Sequence, residues 1–268
     1  MTVFPPSRRD DYLATISDLG FQRPVHQIAR AYTDGVHGEA VAGRSGAAVI
    51  VGDFVELSGT FDPEVYDVVG RIAEAHLVEP PAGWVAGIPD ATPDRFVAFR
   101  REAFRPMRPG AVEGPGTRAA GTSGARTPTI DGSPLEISAI NHSAAEELLS
   151  ETWSADVVAN TRSVGAGYPK AFGFVARHNG RIIGAVGCFA IYRDGIEIQI
   201  DTREGFRRRG VATELATRML AECSRRSLQC HWDAMTPASA TLARRLGFVP
   251  ERVYWCYELR AGRAEQTT

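Results

Sequence analysis

Along the second half of the chain the apolar positions change period several times. Leu135 to Ile140 alternates as a strand does. Ser143-x-x-Glu146 has the form of a capping box and predicts a helix to about Thr152. Ala171 to Arg177 and Arg181 to Ala190 read as strands around Asn179-Gly180, a type I′ hairpin signal. Asp194-Gly195 turns the chain into a further strand, Ile196 to Thr202. Arg208 to Arg226 carries Val211, Leu215, Met219 and Cys223 at helical spacing. Leu228 to Ala234 reads as a strand, Pro237 to Leu246 as a helix ended by Gly247, and Val253 to Leu259 as a last strand.

The first half is less regular. Asp11 to Ile28 has helical spacing. Ala47 to Val51 and Phe54 to Leu57 read as strands joined by Gly52-Asp53. Asp62-Pro63 opens a helix that the spacing of Val65, Val68, Val69, Ile72 and Leu77 carries to about His76. Arg95 to Phe104 reads as another strand. Between the halves, Pro106 to Pro134 holds six glycines and five prolines and almost no large apolar residue. Such a segment buries too little to offset its ordering entropy, so it reads as a linker or long surface loop. The expected organisation is an α/β half over 1–105, a linker over 106–134 and a second domain over 135–262. No internal repeat is visible.

Composition narrows the function classes. Of 268 residues, 44% are hydrophobic and 23% charged, which is globular usage. With 30 basic and 32 acidic side chains, nothing marks a dedicated nucleic-acid or anionic-membrane binder. No apolar run approaches the roughly 20 residues of a membrane span, and no signal peptide is visible, so a soluble cytoplasmic protein is expected. Cys188, Cys223, Cys230 and Cys256 show no metal spacing and read as free buried thiols; no metal is expected. Lys170 stands alone against 29 arginines, the usage of a GC-rich bacterial genome.

The informative stretch runs from Ile196 to Ala212. A strand leads into a basic, glycine-containing turn that opens a helix. Amides at a helix start lack intrahelical partners, and the helix dipole adds partial positive charge there. The two together suit a phosphate or pyrophosphate. Gly210 and Ala212 keep the approach open, and Arg207, Arg208 and Arg209 add positive potential. The alternative reading is a solvated basic helix start. Arg118-Ala-Ala-Gly121 has similar letters but no strand or helix around it, and carries no weight.

Arg207-x-x-Gly210-x-Ala212 after a strand resembles the acyl-CoA pyrophosphate loop of the GNAT superfamily of N-acetyltransferases. Cys230 to Ala234, then Ser239 to Leu246-Gly247-Phe248, is similar to that family's next strand and helix. Leu135 to Leu259 follows the family's element order. The first half, with AAVIVGDFVELSG over Ala47 to Gly59, resembles the degenerate N-terminal half of a bacterial subgroup. The fold implied is α/β (α+β): a mixed, mostly antiparallel twisted sheet flanked by helices, with a smaller α/β N-terminal half. The resemblance implies acetyl-CoA as co-substrate, held at one site. The backbones of Ile200, Asp201 and Thr202 would hold the pantetheine arm, and the amides of Arg207, Arg208, Arg209, Gly210, Val211, Ala212 and Thr213 the pyrophosphate. Thr236 stands where many members have a cofactor-touching asparagine, and Ser239 follows on the same helix face.

In the same family a tyrosine often precedes the Gly-Phe glycine by four residues and protonates the leaving thiolate. Here that position is Ala243. Tyr254, Ser239 or solvent could replace it. A thiolate with a pKa of about 8.5 leaves with little help. An amine acceptor is protonated at neutral pH, so a base must take its proton. Glu197 is the leading candidate against the alternative of a solvent-facing strand glutamate. Asp233 and His231 follow, against a helix-capping aspartate and an ordinary sheet histidine. Trp232 and Trp255 read as core or cleft wall. The expected reaction is acetyl transfer to the amine of a small molecule, with a secondary metabolite or antibiotic as acceptor. The alternatives are a non-catalytic acyl-CoA sensor and a transferase for proteins or aminoacyl-tRNA; the near-neutral charge weighs against RNA. Oligomeric state is not legible.

Overall fold

The computed structural model describes residues 1–89, 91–105, 129–160 and 171–260. In chain order these form β1 Thr2–Phe4, α1 Arg9–Asp18, α2 Arg30–Thr33, β2 Glu39–Ala42, β3 Gly46–Val51, β4 Phe54–Gly59, α3 Pro63–Val69, β5 Glu74–Val78, α4 Ala82–Gly87 and β6 Phe96–Arg105. Then come β7 Thr129–Ile130, β8 Ser133–Pro134, β9 Glu136–Ala139, α5 His142–Leu149, α6 Asp156–Ala159, β10 Phe174–His178, β11 Arg181–Tyr192 and β12 Gly195–Thr202. The chain closes with α7 Val211–Arg225, β13 Gln229–Ala234, α8 Pro237–Arg245 and β14 Val249–Arg260. Two compact units result: Met1–Arg101 with the chain from Val253 on, and Glu102–Arg252.

In the first unit the strands run β1-β2-β3-β4-β5, followed by the C-terminal part of β14. All pairs are antiparallel except β4 with β5. β3 is buried along its whole length, as its unbroken apolar run requires. Val41, Ile50, Val55, Leu77 and Trp84 form the core of this unit. Asp62 caps α3, its carboxylate accepting from the Glu64 and Val65 amides.

The second unit runs β9-β10-β11-β12-β13, with the end of β6 beyond β13. Again one pair is parallel, β12 with β13. The hairpin between β10 and β11 turns on Asn179 and Gly180, both at positive φ (50° and 76°), as a type I′ turn demands. α7 buries Val211, Leu215, Met219 and Cys223 on one face, the face that the spacing predicts. All four cysteines are buried. Both units have the mixed, mostly antiparallel arrangement expected of the fold.

Several expectations need correction. α1 stops at Asp18 because Gly20 turns left-handed (φ 70°) and the Gly20 and Phe21 amides donate to Ser17 and Ile16. α3 ends at Val69, not near His76; Leu77 is buried in β5, where pairing with β4 overrides the helical spacing. Asn141, not Ser143, caps α5, accepting from the Ala144 amide. Of the glycine- and proline-rich segment, 106–128 lies outside the described residues. Its end is a two-stranded ribbon with Ile130 buried rather than irregular chain. No described helix is long and apolar enough to cross a membrane.

His37 in the first unit is buried, and desolvation lowers its pKa to about 4. The neutral ring is the folded form, so its stabilisation is present above the unfolded value of about 6.5. It is lost as pH falls towards 4, at no more than about 1.4 kcal/mol per pH unit. Thermal melting between pH 7 and pH 4 should show this loss, with a shallower pH slope in His37→Gln. An unchanged slope would remove His37 from the account.

Candidate active site

The parallel ladder of β12 and β13 is short. Gly195 pairs with Gln229, Ile196 with Cys230 and Glu197 with His231, and there it ends. From Ile198 to Thr202, β12 keeps its partner β11 on one edge. Among the described residues no strand pairs with its other edge. Trp232, Asp233 and Ala234 of β13 turn to β6 instead, opposite Phe104, Ala103 and Glu102. The strands therefore part, leaving backbone donors and acceptors of β12 unpaired by the sheet. β11 carries a bulge level with the parting. Its register with β12 shifts between Cys188 and Ala190, so Phe189 is an extra residue opposite Glu197 and Ile198. A bulge sharpens the local twist and bends the strand that carries it, here β11.

Beyond Thr202 lies a short 3-10 turn, Glu204–Phe206, and then the basic loop. Arg208 (φ 64°) and Gly210 (φ 82°) are both left-handed. α7 accordingly starts at Val211, not at Arg208 as the spacing suggests. Gly210 is its N-cap, and no side chain caps the helix. Among the described residues no backbone carbonyl accepts from the amides of Arg208 to Thr213. Arg207, Arg208, Arg209 and Gly210 are exposed. With glycine at the cap, leaving out a capping side chain forgoes only a few tenths of a kcal/mol, and the amides stay open to a ligand. Arg207 Nε donates to the Thr202 carbonyl at 3.1 Å, tying the loop to the strand end. Gly184 of β11 lets the start of α7 sit close to the sheet; a Cβ there would lie 2.6 Å from Val211 Cγ1.

Strand alternation and register place Glu197, Gln199 and Asp201 of β12 on one face with His231 and Asp233 of β13. Cys230, Trp232 and Ala234 point to the opposite face, that of α7 and α8. Glu197 is 4% exposed, which rules out the solvent-facing alternative. Gln199 Nε2 donates to Asp201 Oδ2 at 2.8 Å. Burial holds the Asp201 carboxyl above the ordinary carboxylate range, with Asp156 adding to the shift against the Gln199 bond. His231 Nε2 lies 3.3 Å from Gln229 Oε1, and its ring meets Tyr192 edge-on. Tyr192 is fully buried on β11, and sequence reasoning missed it. It was hidden in an apolar strand run, and its register opposite Gly195 is a tertiary fact.

Asp233 does not cap α8; Thr236 does, its Oγ1 accepting from the Ser239 amide at 3.2 Å. Trp232 is core, its Nε1 donating to Ser239 Oγ at 2.9 Å and its ring edge-on to Phe248. Ala243 is fully buried. Tyr254 belongs to the first unit, buried with its ring edge-on to His26. Trp255 in the same unit is 53% exposed. No group of side chains suited to a metal ion occurs among the described residues.

The raised Asp201 pKa has a consequence for stability. The folded state favours the neutral acid, so that contribution is fully present below the unfolded carboxylate pKa and is lost as pH rises. Asp201→Asn should therefore melt higher than the wild type at pH 7, with a smaller gain at pH 3.5. A gain independent of pH would contradict the assignment.

Comparison with known proteins follows the same lines. The family model for GNAT acetyltransferases matches residues 24–257. Among solved structures, a GCN5-related N-acetyltransferase-like protein from Streptococcus suis is 23% identical, with 95% of this chain and 99% of that one covered at a TM-score of 0.71. A GCN5-related N-acetyltransferase from Kribbella flavida is 13% identical, with 84% and 90% covered at a TM-score of 0.50. A search of the curated proteins gives no match. With two strands that part, an uncapped glycine helix start beside them and a family match spanning both units, this chain belongs to the GNAT acetyltransferase family, whose chemistry is acyl transfer.

Proposed function

We propose that the protein transfers an acetyl group from acetyl-CoA to the amine of a small molecule. The observation that carries this reading is the uncapped start of α7 beside the unpaired edge of β12. The residues fit the co-substrate. The amides from Arg208 to Thr213 and the exposed guanidinium groups of Arg207, Arg208 and Arg209 would hold the pyrophosphate. The open backbone edge of Ile200, Asp201 and Thr202 would hold the pantetheine amides. Ser239 and Thr236, at the start of α8, stand beside the end of β13, with Thr236 already engaged as a cap. Acetyl-CoA supplies the activated acyl group as a thioester.

The chain's own residues supply the rest. Glu197 is buried at the last paired position before the strands part, and it takes the proton of the acceptor ammonium. A backbone N–H on the open edge of β12 stabilises negative charge developing on the carbonyl oxygen. Three carboxylates on one face, Glu197, Asp201 and Asp233, favour an acceptor that arrives as a cation. His231, register partner of Glu197, would pass a proton onward. Amine-bearing secondary metabolites and antibiotics are the acceptors to try first, in a cytoplasmic setting.

One observation favours a second reading, a non-catalytic acyl-CoA binder: Ala243, fully buried, offers no acid where the family often has tyrosine. Turnover separates the two. Calorimetry should find acetyl-CoA binding, abolished by Gly210→Glu with the fold retained. An L side chain at φ 82° costs about 1–2 kcal/mol, and the added carboxylate repels the anion. Glu197→Gln should keep acetyl-CoA binding and lower acceptor-dependent CoA release by about 10²-fold or more. No binding at millimolar acetyl-CoA ends the proposal. Binding with no turnover on any amine favours the second reading.

A further inference from the structure

His231 is tied to the turn between β11 and β12 by a chain of contacts through Gln229. The Asp194 carbonyl accepts from the Gln229 amide at 2.8 Å, beside the first rung of the ladder between β12 and β13. The Gln229 side chain repeats the contact, its Nε2 donating to Asp194 Oδ2 at 3.4 Å. Strand alternation puts Gln229 and His231 on one face. There Gln229 Oε1 lies 3.3 Å from His231 Nε2.

Donor and acceptor chemistry fixes the direction of each bond. A carboxylate only accepts, so the Gln229 amide turns its NH2 group to Asp194. That leaves its carbonyl oxygen for His231, and a carbonyl also only accepts. The hydrogen of the neutral His231 ring therefore sits on Nε2, and Nδ1 is the ring's acceptor. The opposite tautomer would set a nitrogen lone pair against an oxygen lone pair.

The ring is held on its flank as well. Tyr192 meets it edge-on, with centroids 5.8 Å apart and planes at 68°. Gly195 pairs with Tyr192 on one side and with Gln229 on the other. A Cβ at Gly195 would lie 2.8 Å from Tyr192 Cε2 and 2.6 Å from the Gln229 carbonyl oxygen. A larger residue there would displace the tyrosine ring or the Gln229 backbone, the two supports of His231.

Glu197 is the register partner of His231 and shares its face. When the acceptor ammonium gives its proton to Glu197, the carboxyl group must lose that proton before the next turnover. The Nε2–H tautomer offers Nδ1 for it. Glu197 then returns to carboxylate, and the ring becomes an imidazolium that still donates to Gln229. The half-buried ring releases its extra proton to water.

We propose that Gln229 is a positioning residue for the transfer: anchored by Asp194, it keeps His231 in the Nε2–H tautomer, so that Nδ1 takes the proton Glu197 collects. The part in turnover rests on the proposed function; the tautomer does not.

Nitrogen-15 NMR of the histidine rings in the full chain at pH 8 reads the tautomer, with His231→Asn identifying the signals. The wild type should show one tautomer, protonated at Nε2. Gln229→Leu, a change at an exposed position, should average the two tautomers, and Gln229→Glu, which still offers an acceptor, should keep the wild-type pattern. In turnover, Gln229→Leu should lower kcat about fivefold, the effect of one ordinary hydrogen bond, with the acceptor KM unchanged within twofold. A wild-type ring protonated at Nδ1, or a ring pattern that Gln229→Leu leaves unmoved, would overturn the tautomer. A kcat within twofold of the wild type in Gln229→Leu would overturn the positioning role. If the wild type acetylates no amine, the proposed function fails, and the ring signals alone decide whether Gln229 sets His231.

Discussion

The second unit depends on where one ladder of hydrogen bonds stops. Parallel pairing of β12 with β13 ends at Glu197 and His231, level with the bulge at Phe189 on the neighbouring strand. Sheet strands normally satisfy both edges, and an unsatisfied buried amide or carbonyl costs about 1–3 kcal/mol. An edge left open beside a helix start that also lacks a cap is a second omission in the same place. The two omissions are compatible with a folded chain if a ligand with both amides and phosphates completes them.

The carboxylate chemistry follows from the same parting. Glu197 is the last residue that the ladder holds rigidly, so its position is fixed while the space beyond it opens. Residues two and four further along, Gln199 and Asp201, share its face but are half-buried. Burial and the neighbouring Asp156 raise Asp201, so the face favours neutral or cation-paired carboxyl groups. An acceptor amine meets both needs.

What could be read from the letters was local. Asn179-Gly180, Asp62-Pro63, the spacing of Val211, Leu215, Met219 and Cys223, and the strand-loop-helix order around Gly210 each state their structure within a few residues. What could not be read was pairing. Leu77 has helical spacing with Val69 but lies in a strand, because β4 offers it a partner. The bulge at Phe189 and the place of Tyr192 beside His231 are facts of register, and no single segment encodes them. Caps went astray by small margins, at Asn141 and Thr236, because several hydroxyl and amide side chains compete near each helix start.

Hydrogen exchange of the full chain with and without acetyl-CoA reads the open edge of β12 and the start of α7 amide by amide. The account predicts protection of the amides along Ile198–Thr202 and Arg208–Thr213, with the amides of Glu64 and Val65 unchanged. Protection that leaves those two stretches untouched, or that appears at the start of α3, would contradict it.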